Sequence, residues 1–380
     1  MSWVGLTGIL LSLCAYPFAF VEKTRGRIGI FMLAAIVHVV TAVVYYDYVQ
    51  TNSADSVLYY FDPYDMIREP LRPGTIFVVH LTQAFKSAIG GTYLDYFLIY
   101  QAFGFWGIAF LMRTIEEIYL ELDVPQPKLA FLVLFLPGVH FWTSAIGKDA
   151  PLFLACALAV WATMRLKQRF LMFALAIVIM AAFRPHIALA AIIALAVAAF
   201  FDPRSKGYVK LVLFTAAVAG AAAVAGSIES AFSVDVTDAD SVSDFVARQS
   251  QVATTIGGTT AVVGASYPVR LLSLLFRPLF VDAQGAFGLI ASVENVFLLF
   301  VVGTLFVRFR DSLKLARQIF FLRFALIFFG VLALMLALVY YNVGLGLRQK
   351  MMFMPGLLTF FIAVWAVRQV KTRRPALSYA

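Results

Sequence analysis

The chain has 380 residues, 62% of them hydrophobic and 13% charged, with a mean hydropathy of +0.88. Soluble domains carry about 45–50% apolar and about 25% charged residues, so one soluble core cannot hide this excess and 1–380 reads as a single integral membrane domain. The net charge of +9 comes from 30 Lys and Arg scattered over short loops, which argues against nucleic acid as a partner and reads as topology signal.

A span needs about 20 apolar residues. Segments of that character are 3–20, 28–46, 94–112, 129–145, 150–164, 170–183, 187–201, 211–227, 286–307, 319–340 and 351–367, which makes about eleven transmembrane helices in an all-α protein. The first has no basic residue before it and no small-residue cleavage pattern, so it reads as a retained helix. Segment 73–90, PGTIFVVHLTQAFKSAIG, repeats His80, Gln83 and Lys86 at helical spacing and reads as an amphipathic helix lying along the interface.

With the N-terminus outside and the C-terminus inside, the inner loops are 21–27, 113–128, 165–169, 202–210, 308–318 and the tail from Arg368. With Arg323 they hold 20 of the 30 basic residues, as the positive-inside rule requires. Arg165, Lys167, Arg204 and the basic tail are read as topology signals only. Cys14 and Cys156 lie in apolar runs, so neither a disulfide framework nor redox chemistry is indicated. Four scattered His, no Gly-rich phosphate loop after a strand and no internal repeat argue against a Cys/His metal site, a nucleoside triphosphate or a secondary transporter. No cofactor is indicated, and a divalent metal is left open.

The unusual residues collect on the expected outer face. The first outer loop, 47–93, carries Asp47 and Asp55, the second just before the aromatic stretch Val57–Phe61. Short turns follow with Lys148 and Asp149 in SAIGKDAP, then Arg184 and His186 in FRPH. The long outer loop, 228–285, runs from an acidic, Ser-rich part (Asp235, Asp238, Asp240, Asp244) to YPVRLLSLLFRPLFVDAQG, where Arg270 and Arg277 suit another interfacial helix. Glu294 lies inside a span, and an intramembrane carboxylate is a functional-site hypothesis by default. Asn342 and Arg348 sit in the last outer loop.

Plainer roles exist for many of these. Lys148 and Arg184 can snorkel from span ends, and Arg277 can anchor an interfacial helix. Asp149 can cap the helix that starts at Ala150, with Pro151 at a permitted early position, and Asp55 can cap one that starts at Ser56. The Asp cluster at 235–244 reads as a solvated loop, and mid-span His38 as a buried polar contact; His140 is left open. The functional reading takes the cations as partners for a lipid phosphate and the Asp55 or Asp47 carboxylate as a general base.

An Asp-bearing first outer loop followed by many spans with short outer turns resembles the GT-C class of membrane glycosyltransferases. HFWTSAIGKDA, FRPHIAL, FRPLF with SVENVFLL, and YNVGLGLRQKMMFMP resemble patterns in bacterial membrane proteins of exopolysaccharide assembly. The resemblance implies a polyprenyl-phosphate-linked sugar donor, a saccharide or lipid-linked acceptor, and a location in the bacterial inner membrane among other polysaccharide-assembly proteins. It also implies a catalytic carboxylate at Asp55 or Asp47. A Wzy- or EpsG-type polymerase is the close alternative, with Arg248, Arg270, Arg277 and Arg348 as its candidate arginines; a lipid-linked sugar flippase is the distant one.

Overall fold

The computed structural model describes residues 2–377 apart from 53, 233–237, 239, 242, 246, 249–250, 252–264 and 341, and without the side chains of 128, 227–232 and 369–377. Asp235 lies outside the described residues. Among those residues all regular structure is helical. In chain order the first elements are α1 (Trp3–Leu13), α2 (Tyr16–Ala19), α3 (Arg25–Thr51), α4 (Asp55–Phe61), α5 (Thr75–Ile89) and α6 (Tyr93–Glu121). Then come α7 (Pro137–Trp142), α8 (Asp149–Met164), α9 (Phe170–Phe183), α10 (Pro185–Phe200) and α11 (Gly207–Phe232). The last are α12 (Tyr267–Phe276), α13 (Gly285–Val307), α14 (Phe309–Gln318), α15 (Phe320–Leu338), α16 (Val343–Gln349) and α17 (Met354–Leu377), with short 3-10 turns between. The chain divides into two compact units, Met1–Pro185 with Pro355–Ala380, and His186–Met354.

Among the described residues five helices are long and apolar enough to cross a membrane: Arg25–Thr51, Tyr93–Glu121, Gly207–Gly226, Gly285–Val307 and Phe320–Leu338. A sixth appears if Val343–Met352 and Met354–Arg368 form one broken span. These helices suggest a membrane protein with five or six candidate spans, and the expected figure of about eleven is finer than helix length supports. Helices α8, α9 and α10 have 16, 14 and 16 residues. At 1.5 Å per residue they reach about 21–24 Å, less than the ~30 Å hydrocarbon core.

Two expected spans are not single helices. Segment 129–145 divides into a 3-10 run, Lys128–Phe135, and α7, because Leu136 before Pro137 is held extended. Segment 3–20 breaks between α1 and α2, where Pro17 has no N–H to continue the ladder.

In the first unit α6 is the central post, buried along most of its length. Its neighbours approach through glycines: a Cβ on Gly8 would stand 2.1 Å from Leu98 O, and one on Gly104 would stand 2.0 Å from Thr143 O. A Cβ on Gly107 would meet Phe153 and the Leu154 backbone of α8. Close approach over small residues is how apolar helices pack where lipid offers no hydrophobic driving force.

The C-terminal end of α6 gathers expected inner loops. Glu116 pairs with Arg27 at 3.2 Å and accepts from the Val21 N–H. Glu117 accepts from Arg113 Nε at 2.7 Å and from Arg169 Nη2 at 2.9 Å through both oxygens, while Arg169 stacks 3.9 Å over Trp161. Arg165 reaches Glu121 at 3.7 Å. Loops 21–27, 113–128 and 165–169 thus share one end, and their arginines tie helix ends together. In the second unit buried Arg323 plays a similar part, donating to Ala198 O, Ala316 O and Arg317 O.

Candidate functional site

The opposite end of the first unit holds five of the singled-out residues, Asp47, Asp55, Lys148, Asp149 and Arg184, and the last three lie by the start of α5. Gly74 precedes this helix at φ 95°, a conformation that favours glycine, and its N–H donates to Ala182 O at the end of α9 (3.0 Å). Phe77 packs edge-on against Phe183, and Thr82 Oγ1 meets Tyr100 OH at 2.7 Å. The polar face expected along the membrane surface is turned to main chain instead. Gln83 donates to Tyr59 O and Tyr60 O, Lys86 to Tyr60 O, and His80 Nε2 lies 3.0 Å from Glu69 O. Helix α5 is a clamp on the first loop.

Lys148 Nζ donates to Thr75 Oγ1, in the first turn of α5, at 2.8 Å. Asp149 is the first residue of α8 and buried, and Arg184 Nη2 donates to its Oδ1 at 3.3 Å. The expected capping role is corrected: Lys148 occupies the N-cap position without a side-chain cap, and Asp149 is an ion-pair partner. So Lys148, Asp149 and Arg184 come together where α8 begins, α9 ends and α5 begins. His186 follows on α10, in the second unit, half-buried.

Asp55 opens α4 and is exposed; the N-cap is Ala54, so the expected cap is corrected here too. Its neighbour Ser56 shares a 2.7 Å hydrogen bond with Tyr93 OH. Tyr93 in turn packs against Tyr46, Tyr60, Phe61 and Phe97, with ring centroids 5.1–5.7 Å apart. Tyr60 OH donates to Gly91 O, and burial with the Asp95 carboxylate nearby pushes that phenol up, keeping it a donor. Asp55 therefore directly precedes the residue that meets this aromatic cluster. Asp47 is exposed about one turn before the end of α3.

The second unit collects a separate group. Arg277 pairs with Asp282, whose other oxygen accepts from Leu279 N at 2.6 Å. Asn295 Nδ2 donates to Pro278 O at 2.7 Å, while its Oδ1 accepts from Lys350 Nζ at 2.6 Å. Lys350 is fully buried, and Glu294, buried on the same helix as Asn295, is close enough for its charge to act on it. Asp282, Asn295 and Lys350 were missed as site residues; the readable signal was a polar pair, Glu294-Asn295, inside an apolar span. Asn342 is a helix cap, its Oδ1 accepting from Gly344 N and Leu345 N. Arg270 donates to Leu338 O at 2.9 Å, and Arg348 is half-buried on α16. Asp238 is exposed and accepts from Asp240 N and Ser241 N, and Asp244 and Arg248 are exposed.

His38 is the buried polar contact expected, and it settles His140. Their Nδ1 atoms lie 3.1 Å apart, His38 Nε2 lies 3.1 Å from Gln101 O, and His140 Nε2 lies 2.9 Å from Leu134 O. Among the described residues no three His, Cys, Asp or Glu side chains group as a metal site.

Chemically, the first unit offers cations able to hold a phosphate, an exposed carboxylate able to take a proton, and aromatic rings beside that carboxylate. No family model, curated protein or solved structure matches the chain.

Proposed function

We propose that the protein is an inner-membrane glycosyl transferase of GT-C-like character, acting at the outer leaflet on a polyprenyl-(di)phosphate-linked sugar in bacterial polysaccharide assembly. The observation that supports this best is the gathering of Lys148, Asp149 and Arg184 at the start of α5, the helix that also clamps the Asp55-bearing loop. In this reading Lys148 and Arg184 neutralise the donor phosphate at the headgroup level. Asp55 takes the proton of an acceptor hydroxyl, whose oxygen attacks the anomeric carbon as the carbon–oxygen bond to phosphate breaks. The phosphate leaves with the electron pair, held by the cations.

The test is turnover in membranes supplied with a lipid-linked sugar donor. Asp55→Asn lowers turnover by about 100-fold or more if Asp55 is the base. Full turnover by that variant removes the assignment and favours a Wzy- or EpsG-like polymerase that depends on outer arginines. Lys148→Ala weakens donor binding; unchanged binding removes the phosphate role. Movement of the lipid with no new glycosidic bond identifies a flippase instead.

A further inference from the structure

A different feature, remote in sequence from the groups above, carries its own function. Helix α14 joins α13 to α15, two of the helices long and apolar enough to span the membrane, through Arg308 and Ile319 alone. Links that short hold α14 at a membrane surface.

Its sequence, FRDSLKLARQ, puts Arg310, Lys314 and Arg317 at i, i+4 and i+7, within about 60° of the helix circumference. Ser312, Leu315 and Ala316 are buried on the other side. The three cations are exposed and line a shallow hollow of about 330 Å³ with Leu313 and Gln318. Among the described residues no ion pair joins a carboxylate to any of the three, whereas Arg113 and Arg169 both meet Glu117. Beside it the chain exposes a run of large apolar residues, with Phe306 78%, Val307 89% and Phe309 58% accessible.

We infer that the Arg310–Lys314–Arg317 face of α14 is a binding site for the phosphate headgroup of an anionic phospholipid. The cations meet the phosphate, and Phe306, Val307 and Phe309 lie against the acyl chains. A basic face beside an apolar one at the end of a span is the arrangement that anionic headgroups recognise. Free phosphate satisfies only the first half of it. Each cation near an anionic surface contributes about fivefold in affinity, so the three together contribute on the order of 100-fold.

The test is native mass spectrometry of the full chain in mild detergent, titrated with phosphatidylglycerol or phosphatidylcholine. The wild type retains phosphatidylglycerol selectively, and R310Q/K314Q/R317Q loses that selectivity by on the order of 100-fold. R310K/R317K retains it, and the single variant K314Q loses about fivefold, which keeps the test open should the triple variant fold poorly. Equal retention of both lipids by the wild type, or unchanged selectivity in the triple variant, overturns the site. Displacement of phosphatidylglycerol by millimolar inorganic phosphate makes it a free-anion site and overturns the lipid assignment.

Discussion

Replacing Gly104 by alanine tests the packing on which the candidate site rests. Gly104 lies on α6 against Thr143, five residues before Lys148, so the main chain that carries the site turn abuts the glycine directly. An added Cβ would stand 2.0 Å from Thr143 O, 2.8 Å from its Oγ1 and 2.9 Å from its carbonyl carbon. Ordinary contact begins at 3.4 Å, so the two backbones must separate by roughly 1.4 Å. Overpacking of this kind costs about 1–3 kcal/mol. The upper figure applies, because the obstacle is main chain and not the end of a flexible side chain. Thermal unfolding in detergent is the assay, with Gly330→Ala as control, since a Cβ on that helical glycine meets nothing within 4 Å. Gly104→Ala is expected to lower the midpoint by about 4 °C, whereas the control is neutral or slightly stabilising. Equal midpoints for the two variants would refute the close approach of α6 to the site turn.

The other end of α6 gives a second test. Glu117→Gln unbalances Arg113 and Arg169 around a carboxylate only 4% exposed and should cost about 3 kcal/mol, whereas Glu121→Gln, at an exposed 3.7 Å pair, should cost under about 0.5 kcal/mol by the same unfolding assay. A third concerns pH. Burial raises the Asp202 carboxyl, but the Arg204 N–H and guanidinium with the Arg323 charge outweigh it and hold the group below the ordinary carboxylate value. A depressed folded value means stability present above that ordinary value and lost as pH falls through the folded one. Asp202→Asn should therefore narrow its gap to the wild type below about pH 4 in a pH series of unfolding midpoints.

How much of this could be read beforehand depended on the range of the signal. The long spans were legible because each carries its own evidence: an uninterrupted apolar run fixes α3, α6, α13 and α15 wherever the rest of the chain goes. Local punctuation was legible but underweighted. Pro17 and Pro137 stand plainly in the sequence, yet hydropathy averaged over a window hides a missing backbone donor, so 3–20 and 129–145 were read as whole helices. Partners distant in sequence were not legible. Asp149 looks like a cap because its neighbours are a lysine and a helix; only the fold brings Arg184, 35 residues on, against it. His38 and His140, and Asn295 and Lys350, meet across 102 and 55 residues, with no periodicity linking them. The α5 polar face shows the same limit: amphipathicity announces two unlike surfaces, but main-chain carbonyls of a folded loop satisfy His80, Gln83 and Lys86 as well as headgroups do.

That distinction decides how the site charges are to be tested. Lys148 and Arg184 each bring a positive charge and Asp149 a negative one, so the trio sums to one positive charge. The Asp149–Arg184 pair has side chains 6% and 12% exposed, and so breaking it from either side should destabilise the fold by a similar amount, about 3 kcal/mol. Donor binding should separate the two variants. Asp149→Asn raises the local charge to two, Arg184→Gln lowers it to zero, and a phosphate about 6 Å away feels each change as about 0.7–3 kcal/mol over effective dielectrics of 80–20. Affinity for a polyprenyl-phosphate donor should thus rise by roughly 3- to 100-fold in Asp149→Asn and fall by a like factor in Arg184→Gln, despite equal losses of midpoint. Parallel losses of affinity in both would mean that the pair only holds α8 to α9. The phosphate would then have to be sought at Lys148 alone.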